Sequence, residues 1–278
     1  MPSSNLVTAS RAVNAAGVRL EITEGGAGRP IVFLHPGVGL RDASPFLERI
    51  RLLGHVIAPA HPGFHGSENS PSVGSVDDLA YLYLDFLESL DEPAIIVGVS
   101  LGGWIALEMA VKSTHHIAGL VLADSVGVRF ETRGIQDFAD IHALSRTEIN
   151  ERVYHNSTRG EIDYPSRPPA ELELIARNRE AELRYTWSPY MHSPKLGTRL
   201  HRVDVPTLVV WGESDGLVPP AYGQRLAKAL PQATFETIAE AGHFPHVEQP
   251  DQLAARIERF IGSLPRGAAG TRQKELVR

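Results

Sequence analysis

One serine of this chain lies in a sequence that can make its hydroxyl reactive. Ser100 stands in the segment Gly-Val-Ser-Leu-Gly-Gly at positions 98–103, after the apolar run 95–97 and before a stretch that predicts a helix. A Gly-x-Ser-x-Gly turn from a buried strand into a helix strains the serine backbone and exposes its hydroxyl, and it requires small flanking residues. Since a free hydroxyl is a weak nucleophile near neutral pH, a base must lie close to it. The segment predicts a serine nucleophile.

The same glycines are compatible with a second interpretation. In a degenerate dinucleotide-binding turn, the pyrophosphate would lie on residues 98–103, and Asp124, after the next predicted strand, would bind the ribose. The middle glycine of that fingerprint lets the pyrophosphate approach the backbone, and here Ser100 replaces it. The strand also lies in the middle of the chain rather than at its start. Both observations favour the interpretation of Ser100 as a nucleophile over a dinucleotide site, so we expect no cofactor.

The elements around Ser100 alternate between two kinds of pattern. Short runs rich in β-branched residues predict strands, and longer amphipathic stretches predict helices. This alternation is typical of the α/β class, a mostly parallel central sheet with helices on both faces. A hairpin comes first, from Ala12 to Ile22. Further strands are predicted at 31–34, 55–58, 95–99, 118–122, 207–211 and 234–238, and helices at 46–53, 75–87, 101–111, 222–230 and 252–264.

Residues 130–200 interrupt this alternation. They are rich in arginine, glutamate and aromatic residues, contain several prolines and include no convincing buried strand. A loop of that length without structure is improbable in a compact domain, so we expect a small helical cap, inserted late in the sheet. The predicted core then comprises residues 1–129 and 201–264. Residues 265–278, which mix glycine, alanine and charges, are expected to form a flexible tail.

Composition limits the partners of the chain. Its 278 residues include no cysteine, which excludes disulfides, thiolate nucleophiles and cysteine zinc sites and fits a reducing, cytoplasmic location. The formal net charge is −6 and the basic residues are scattered, so we expect no nucleic-acid partner. No leader pattern or membrane-spanning apolar run is recognisable, which predicts no membrane association. We expect a small-molecule substrate, and no pattern predicts an oligomeric state.

In the order of its motifs the chain resembles the α/β-hydrolase superfamily, and within it the capped serine hydrolases. The resemblance extends from Gly17 to Leu264. It rests on a His-Pro-Gly-x-Gly loop, the turn around Ser100, the cap, a Gly-x-x-Asp-x-x-x-Pro segment and Gly-His-Phe-Pro-His near the end. It implies the α/β-hydrolase fold, with catalytic groups at the carboxyl ends of strands in the chain order nucleophile, acid, histidine.

On this resemblance, Asp215 and His243 are expected to complete a catalytic triad with Ser100. An imidazole titrates near neutrality, so His243, in a loop after the last predicted strand, can take the serine proton and return it to a leaving group. Asp215 follows a buried strand and would fix the tautomer of the imidazole. Asp124 is the rival acid, because it closes the strand after the helix that follows Ser100. His246 is the competing histidine, expected instead to pack near the final helix or to orient its loop.

The resemblance also implies an oxyanion hole of main-chain N–H groups. Leu101, the residue after the nucleophile, would supply one donor. The common His-Gly pair of the family is His35-Pro36 here, and since proline has no N–H, the second donor moves to Gly37 or Val38. The alternative is that this segment is only a turn.

Two further histidines lie four residues apart beside a proline and a glycine. His61 and His65 could suggest metal ligands, but no third ligand accompanies them. We therefore expect satisfied surface histidines and no metal site.

The nucleophile distinguishes reaction classes within the superfamily. Members that dehalogenate or open epoxides carry an aspartate at the position of Ser100, so acyl transfer to water is expected here. A carboxylesterase is the leading expectation. Two alternatives stay open. One is a hydrolase of carbon–carbon bonds in vinylogous diketones, which uses the same triad and is expected to place a cap arginine near the substrate. The other is a non-enzymatic ligand receptor with a vestigial triad.

Substrate contacts are expected mainly from the cap. The candidate wall residues are Trp187, Tyr190 and Met191, together with Trp104 at the start of the helix that follows the nucleophile. Cap arginines could clamp a substrate carboxylate, although the glutamates among them favour a solvated helix face. These arginines are Arg177, Arg179 and Arg184.

Overall fold

The computed structural model describes residues 9–131 and 137–265. The strands of this part of the chain are Ala9–Ala15 (β1), Val18–Gly25 (β2), Pro30–Leu34 (β3), His55–Pro59 (β4), Ala94–Val99 (β5), Ile117–Ala123 (β6), Gly127–Val128 (β7), His192–Ser193 (β8), Thr207–Gly212 (β9) and Ala233–Ile238 (β10). Eight of them form one sheet in the order β1-β2-β4-β3-β5-β6-β9-β10, and β7 pairs separately with β8.

The sheet is antiparallel at one edge and parallel elsewhere. The hairpin β1–β2 pairs antiparallel with β4, and every further neighbour from β4 to β10 is parallel. All residues of β3, β5 and β9 are buried, which is expected of parallel strands covered on both faces and explains their continuous apolar sequences. The architecture confirms the predicted α/β class.

Helices connect the strands and supply the rest of the core. They are Ser44–Ile50 (α1), Val76–Glu88 (α2), Leu101–Lys112 (α3), Arg146–Val153 (α4), Pro169–Thr186 (α5), Pro220–Ala229 (α6), Pro245–Glu248 (α7) and Pro250–Ser263 (α8). Helix α3 follows Ser100 directly and is buried from Leu101 to Val111, since it packs on the sheet and against α2. Helix α2 begins at the predicted cap, where the Ser75 side chain accepts a hydrogen bond from the N–H of Asp78.

Residues 130–200, called the cap segment below, contain α4 and α5 with short 3₁₀ turns at Ser157–Gly160 and Tyr164–Ser166. Helix α4 begins with a capping box between Ser145 and Glu148, which satisfies its first N–H groups. The strand β8, only two residues long, ties the end of the segment to β7 beside the main sheet.

Two short elements were not expected from the sequence. Helix α7 has four residues, and the β7–β8 pair has two on each side, so neither is long enough to produce a periodic pattern. The predicted tail, 265–278, lies outside the described residues except for Pro265. None of the helices in the described ranges is both long enough and apolar enough to cross a membrane.

Candidate active site

Ser100 joins β5 to α3 in the turn that the sequence predicts. Its φ of 51° and ψ of −113° form a strained combination for a residue with a side chain. The flanking glycines make the turn possible. A Cβ on Gly98 would lie 2.5 Å from the carbonyl oxygen of Gly102, and a Cβ on Gly102 would overlap the carbonyl oxygen of Leu34. The N–H of Ser100 donates to the carbonyl oxygen of Ala123 at 3.0 Å, which fixes the turn to β6.

The three residues that the sequence singles out lie together. Oγ of Ser100 is 2.8 Å from Nε2 of His243, and Nδ1 of His243 is 2.8 Å from Oδ2 of Asp215. A carboxylate only accepts, so Nδ1 carries the ring proton and donates to Asp215, while Nε2 accepts from the hydroxyl. All three side chains are buried. This arrangement can withdraw a proton from the hydroxyl and stabilise the imidazolium that results.

The carboxylate of Asp215 is oriented by its own loop. Its Oδ1 accepts hydrogen bonds from the N–H groups of Leu217 and Val218, both at 2.9 Å. The other oxygen is therefore directed at His243 before any substrate binds.

Asp124, the rival acid, lies beside Asp215 but makes no hydrogen bond to His243. Its Oδ1 accepts from the N–H of Gly212 at 2.9 Å. Complete burial, and then the charge of Asp215, raise the pKa of Asp124 well above its ordinary value. Burial thus disfavours the charged form of Asp124, and the structure places Asp215 rather than Asp124 against the imidazole.

The loop that holds His243 is fixed from two sides. The N–H of His243 donates to the carbonyl oxygen of Val153 in the cap segment at 2.6 Å. The buried carboxylate of Glu248 accepts from the N–H of Gly242 at 2.7 Å, and from the N–H groups of residues 155 and 156 at 3.1 and 3.0 Å. The cap segment thus supports the backbone of the proposed base.

His246 packs in α7 among aromatic rings, which agrees with the packing role expected of it. Its ring centroid lies 6.0 Å from that of Phe33 and 5.8 Å from that of Phe244. Neither ring nitrogen has a hydrogen-bond partner among the described residues. Burial, and then the charge of His243, lower the pKa of His246 to about 3.

The proposed oxyanion donors lie on two segments beside the nucleophile. Leu101 is the first residue of α3, so its N–H has no acceptor within the helix. Gly37 and Val38 line the cavity that contains the serine hydroxyl. Their loop is closed by a turn in which the N–H of Gly39 donates to the carbonyl oxygen of Pro36 at 2.9 Å. Leu101, Gly37 and Val38 therefore stay our proposed donors.

Behind this loop lies a buried hydrogen-bond network of two histidines. Nδ1 of His35 donates to the carbonyl oxygen of Pro36 at 2.7 Å, and its Nε2 accepts from the N–H of His61 at 2.9 Å. Nδ1 of His61 in turn accepts from the Tyr83 hydroxyl at 2.5 Å. Burial lowers the pKa of His61 to about 3. The expectation of a surface histidine was wrong for His61, because the loop folds under the cap segment rather than over the surface.

His65 connects the loop of the proposed oxyanion donors, residues 35–40, to the cap segment. Its ring Nε2 accepts from the main-chain N–H of Leu40 at 2.8 Å, and its main-chain N–H donates to Oδ1 of Asn178 in α5 at 3.0 Å. Burial lowers the pKa of His65, which keeps Nε2 free of a proton and able to accept.

Within the described ranges, the one group of acidic and histidine side chains close enough to share a metal ion is Asp124, Asp215 and His243. Their ligand atoms lie within 4.8 Å of one another. Both ring nitrogens of His243 are used in hydrogen bonds, and burial raises the pKa of Asp124, which disfavours its charged form. The arrangement suits proton transfer better than cation binding.

A cavity of about 690 Å³ lies between the core and the cap segment and includes Ser100 and His243 in its wall. Its size is that of a small-molecule site. Much of the wall is apolar, including Ile149, Val153, Leu174, Ile175, Leu217 and Phe244.

Of the four residues expected to contact the substrate, Met191 lines this cavity. The structure corrects the expectation for the other three. Trp104 is buried in the core, and Trp187 is 61% exposed. The hydroxyl of Tyr190 donates to the carbonyl oxygen of residue 139 and accepts from the N–H of residue 141, so it stabilises the cap segment itself.

The three cap arginines have different roles. Arg177 donates to main-chain carbonyls in the 63–67 loop, and Arg184 bonds to the side chain of Asn69. Both connect α5 to the core. Arg179 alone among the three lines the cavity.

Sequence reasoning missed other charged groups in the wall, notably Arg41, Arg146 and Glu182. Helical spacing in α5 could have revealed the last of them, because the cavity-lining residues of α5 recur every three or four positions. They include Glu171, Ile175, Asn178, Glu182 and Thr186. The charges of this helix suggested a solvated surface instead.

The eight-stranded sheet, the strained serine and its hydrogen-bonded partners are features of a serine-type α/β hydrolase. Residues 31–256 match the family model described as "Alpha/beta hydrolase family". The chain belongs to the alpha/beta hydrolase family.

Its relatives include different kinds of hydrolase. The chain is 30% identical over 271 residues to 2-hydroxymuconate semialdehyde hydrolase of Pseudomonas sp. (strain CF600), covering 90% of this chain and 93% of that protein. It is 26% identical over 245 residues to the esterase YbfF of Escherichia coli, covering 84% and 92%. A meta-cleavage product hydrolase from Pseudomonas fluorescens IP01 shares the fold with a TM-score of 0.69 at 21% identity, covering 91% and 97%. These relatives support hydrolase activity on a small-molecule substrate.

Proposed function

We propose that this protein is a serine hydrolase that cleaves small-molecule carboxylic esters through an acyl-enzyme. The observation that supports the proposal is the hydrogen-bonded chain in which His243 lies 2.8 Å from both Ser100 and Asp215. The strained backbone of Ser100 supports it further, since such strain is kept where function needs it.

The proposed reaction uses these groups in sequence. Oγ of Ser100 attacks the ester carbonyl carbon as Nε2 of His243 takes its proton, and the carbonyl oxygen becomes an oxyanion near the N–H groups of Leu101 and Gly37 or Val38. Collapse of the tetrahedral intermediate expels the alkoxide, which takes the proton from Nε2. A water molecule then attacks the acyl-enzyme by the same route, releasing the acid and restoring the hydroxyl.

A second candidate is the cleavage of a carbon–carbon bond in a vinylogous diketone by the same triad. Two observations favour it. Arg146 and Arg179 line the cavity and could hold a substrate carboxylate. One relative is named as a 2-hydroxymuconate semialdehyde hydrolase. The ester reaction is preferred here because it requires nothing beyond the triad and the oxyanion donors.

The test is labelling and turnover on matched variants. Wild type and the control Ser263→Ala, a change at an exposed serine of α8, are expected to react with a fluorophosphonate and to hydrolyse short aryl esters. Ser100→Ala is expected to lose both, and His243→Ala to lose turnover by about a thousandfold or more. Labelling that persists in Ser100→Ala would place the nucleophile elsewhere.

The same preparations separate the reaction classes. Rapid cleavage of a ring-fission dienone with poor ester turnover would replace the ester proposal with the second candidate. Labelling without turnover of either substrate would indicate a receptor. A cytoplasmic location remains a prediction from the cysteine-free composition.

A further inference from the structure

One carboxyl group of the cap segment lies against the proposed oxyanion loop. Glu182 projects from α5 into the space above Gly37, where that residue has no side chain. A Cβ on Gly37 would overlap Oε1 of Glu182 and lie 2.6 Å from its Cδ and 2.8 Å from its Cγ. Glu182 and Gly37 line the same cavity as Ser100 and His243. The carboxyl is therefore beside the proposed position of the substrate carbonyl.

The environment of this carboxyl is not that of a surface glutamate. Its oxygens make no hydrogen bond to any of the described residues. The side chain is only partly exposed, and it lines the cavity. Burial raises the pKa of Glu182 to about 7, against the opposing charges of Arg179, His243 and Arg146. Near neutral pH it can thus be present in both forms, able to accept a hydrogen bond and, when protonated, to donate one.

The position of Glu182 limits the acyl groups that fit. The leaving alkoxide must reach Nε2 of His243, while the carbonyl oxygen must reach the N–H groups of Leu101 and Gly37. The acyl carbon next to the carbonyl is then the part of the substrate that comes nearest to a group above Gly37. If that acyl carbon carries only hydrogens or alkyl groups, the desolvated carboxyl of Glu182 has no hydrogen-bond partner, which costs binding free energy. If it carries a hydroxyl, that hydroxyl can form the missing hydrogen bond.

We propose that Glu182 is a specificity-determining residue that selects esters of acids bearing a hydroxyl on the carbon next to the carbonyl. The proposal rests on the ester hydrolysis proposed above and assigns its substrate class. Glu182 is not a catalytic residue in this scheme, since no proton transfer passes through it.

The test compares two esters that differ in one oxygen atom, benzyl 2-hydroxybutanoate and benzyl butanoate. Wild type is expected to favour the hydroxy ester by about tenfold or more in kcat/KM, the factor that one added hydrogen bond gives. Glu182→Leu is expected to bring the ratio close to one. Glu182→Gln, whose carbonyl oxygen still accepts, is expected to keep most of it. The control Glu180→Leu, at an exposed position of the same helix, should leave the ratio unchanged.

A second readout does not depend on turnover. Calorimetric Kd values for the two esters on Ser100→Ala are expected to show the same preference, and Ser100→Ala/Glu182→Leu to lose it. If wild type hydrolyses neither these two esters nor the short aryl esters, the proposed function fails, while the Kd ratio still decides the role of Glu182. A ratio near or below one in wild type, or one that Glu182→Leu leaves unchanged, would overturn the proposal.

Discussion

The N–H of His243 donates to the carbonyl oxygen of Val153, joining the proposed base to the last residue of helix α4. Arg152, the residue before Val153, makes a similar contact. Its carbonyl oxygen accepts from the N–H of Gly216, the residue after Asp215, at 2.8 Å. Both loops that carry the proposed acid and base are therefore hydrogen-bonded to the cap segment. The end of α4 therefore supports the loops of the proposed triad and also forms part of the cavity wall.

Gly242→Ala tests this framework. A Cβ at position 242 would overlap the carbonyl oxygen of Val153, so the loop must shift and His243 with it. Since small misplacements of catalytic groups are costly, we expect kcat for an aryl ester to fall by about tenfold or more. The control is Gly262→Ala in α8, where a Cβ meets nothing within 4 Å. Equal activities of the two variants would show that the contact does not position the base.

Asp124→Asn separates the two acids. If Asp124 is neutral, the amide should preserve activity within about tenfold, whereas Asp215→Asn should lose about three orders of magnitude or more. The opposite order would make Asp124 the acid of the triad.

Asp124→Asn should also change how the stability of the protein depends on pH. Because the folded-state pKa of Asp124 is raised, its contribution to stability is full below the unfolded pKa and is lost as pH rises. Asparagine does not titrate, so Asp124→Asn should gain stability relative to wild type between pH 4 and pH 7. The gain in the free energy of unfolding, measured with urea, is expected to increase as pH rises through this range.

His65→Leu tests the support of the oxyanion loop. The substitution removes the acceptor of the Leu40 N–H and leaves that amide without its partner. We expect a loss of about tenfold in kcat with a smaller change in KM, because the loop matters most in the transition state. The exposed His115→Leu serves as the control. A change in KM alone would instead indicate that His65 shapes the cavity.

His246→Leu should alter acid stability. Because the folded-state pKa of His246 is lowered to about 3, the unfolded chain takes up a proton below pH 6.5 that the folded chain refuses. Stability is then full above pH 6.5 and is lost as pH falls toward 3. Leucine does not titrate, so the variant does not lose this stability at low pH, and it buries no unpaired ring nitrogen. Between pH 7 and pH 5 the variant should gain about 2 kcal/mol over wild type in urea unfolding. An equal gain in the exposed His201→Leu would exclude this explanation.

The core and the segments that carry the proposed triad could be predicted because each depends on local signals. Continuous β-branched runs indicated the buried parallel strands, and glycine or proline marked the turns around Ser100, Asp215 and His243. The preference for Asp215 over Asp124 rested on the resemblance in motif order and not on a local signal, because both residues follow buried strands that end at the same edge of the sheet. In the structure, the contact with the imidazole distinguishes them.

The contribution of the cap segment could not be predicted in the same way. The bond from His243 to Val153 uses main-chain atoms, which leave no trace in residue type. Aromatic residue types favour wall residues, yet Trp187 is exposed and Tyr190 is used for the packing of the segment itself. The charges around Glu182 favour a surface helix, although its spacing places it on the inner face.

Helix α4 both lines the cavity and holds the loop of His243 through the hydrogen bond to Val153. A change in this helix that alters which substrates fit can therefore also displace the proposed base. A chimera that imports residues 145–160 from another hydrolase also imports a new anchor for His243, and it must reproduce the carbonyl at position 153 to remain active. Changes confined to inward side chains such as Leu174 and Ile175 leave that anchor in place. Natural drift and laboratory evolution are therefore expected to diversify this protein along the inner face of α5 rather than at the end of α4.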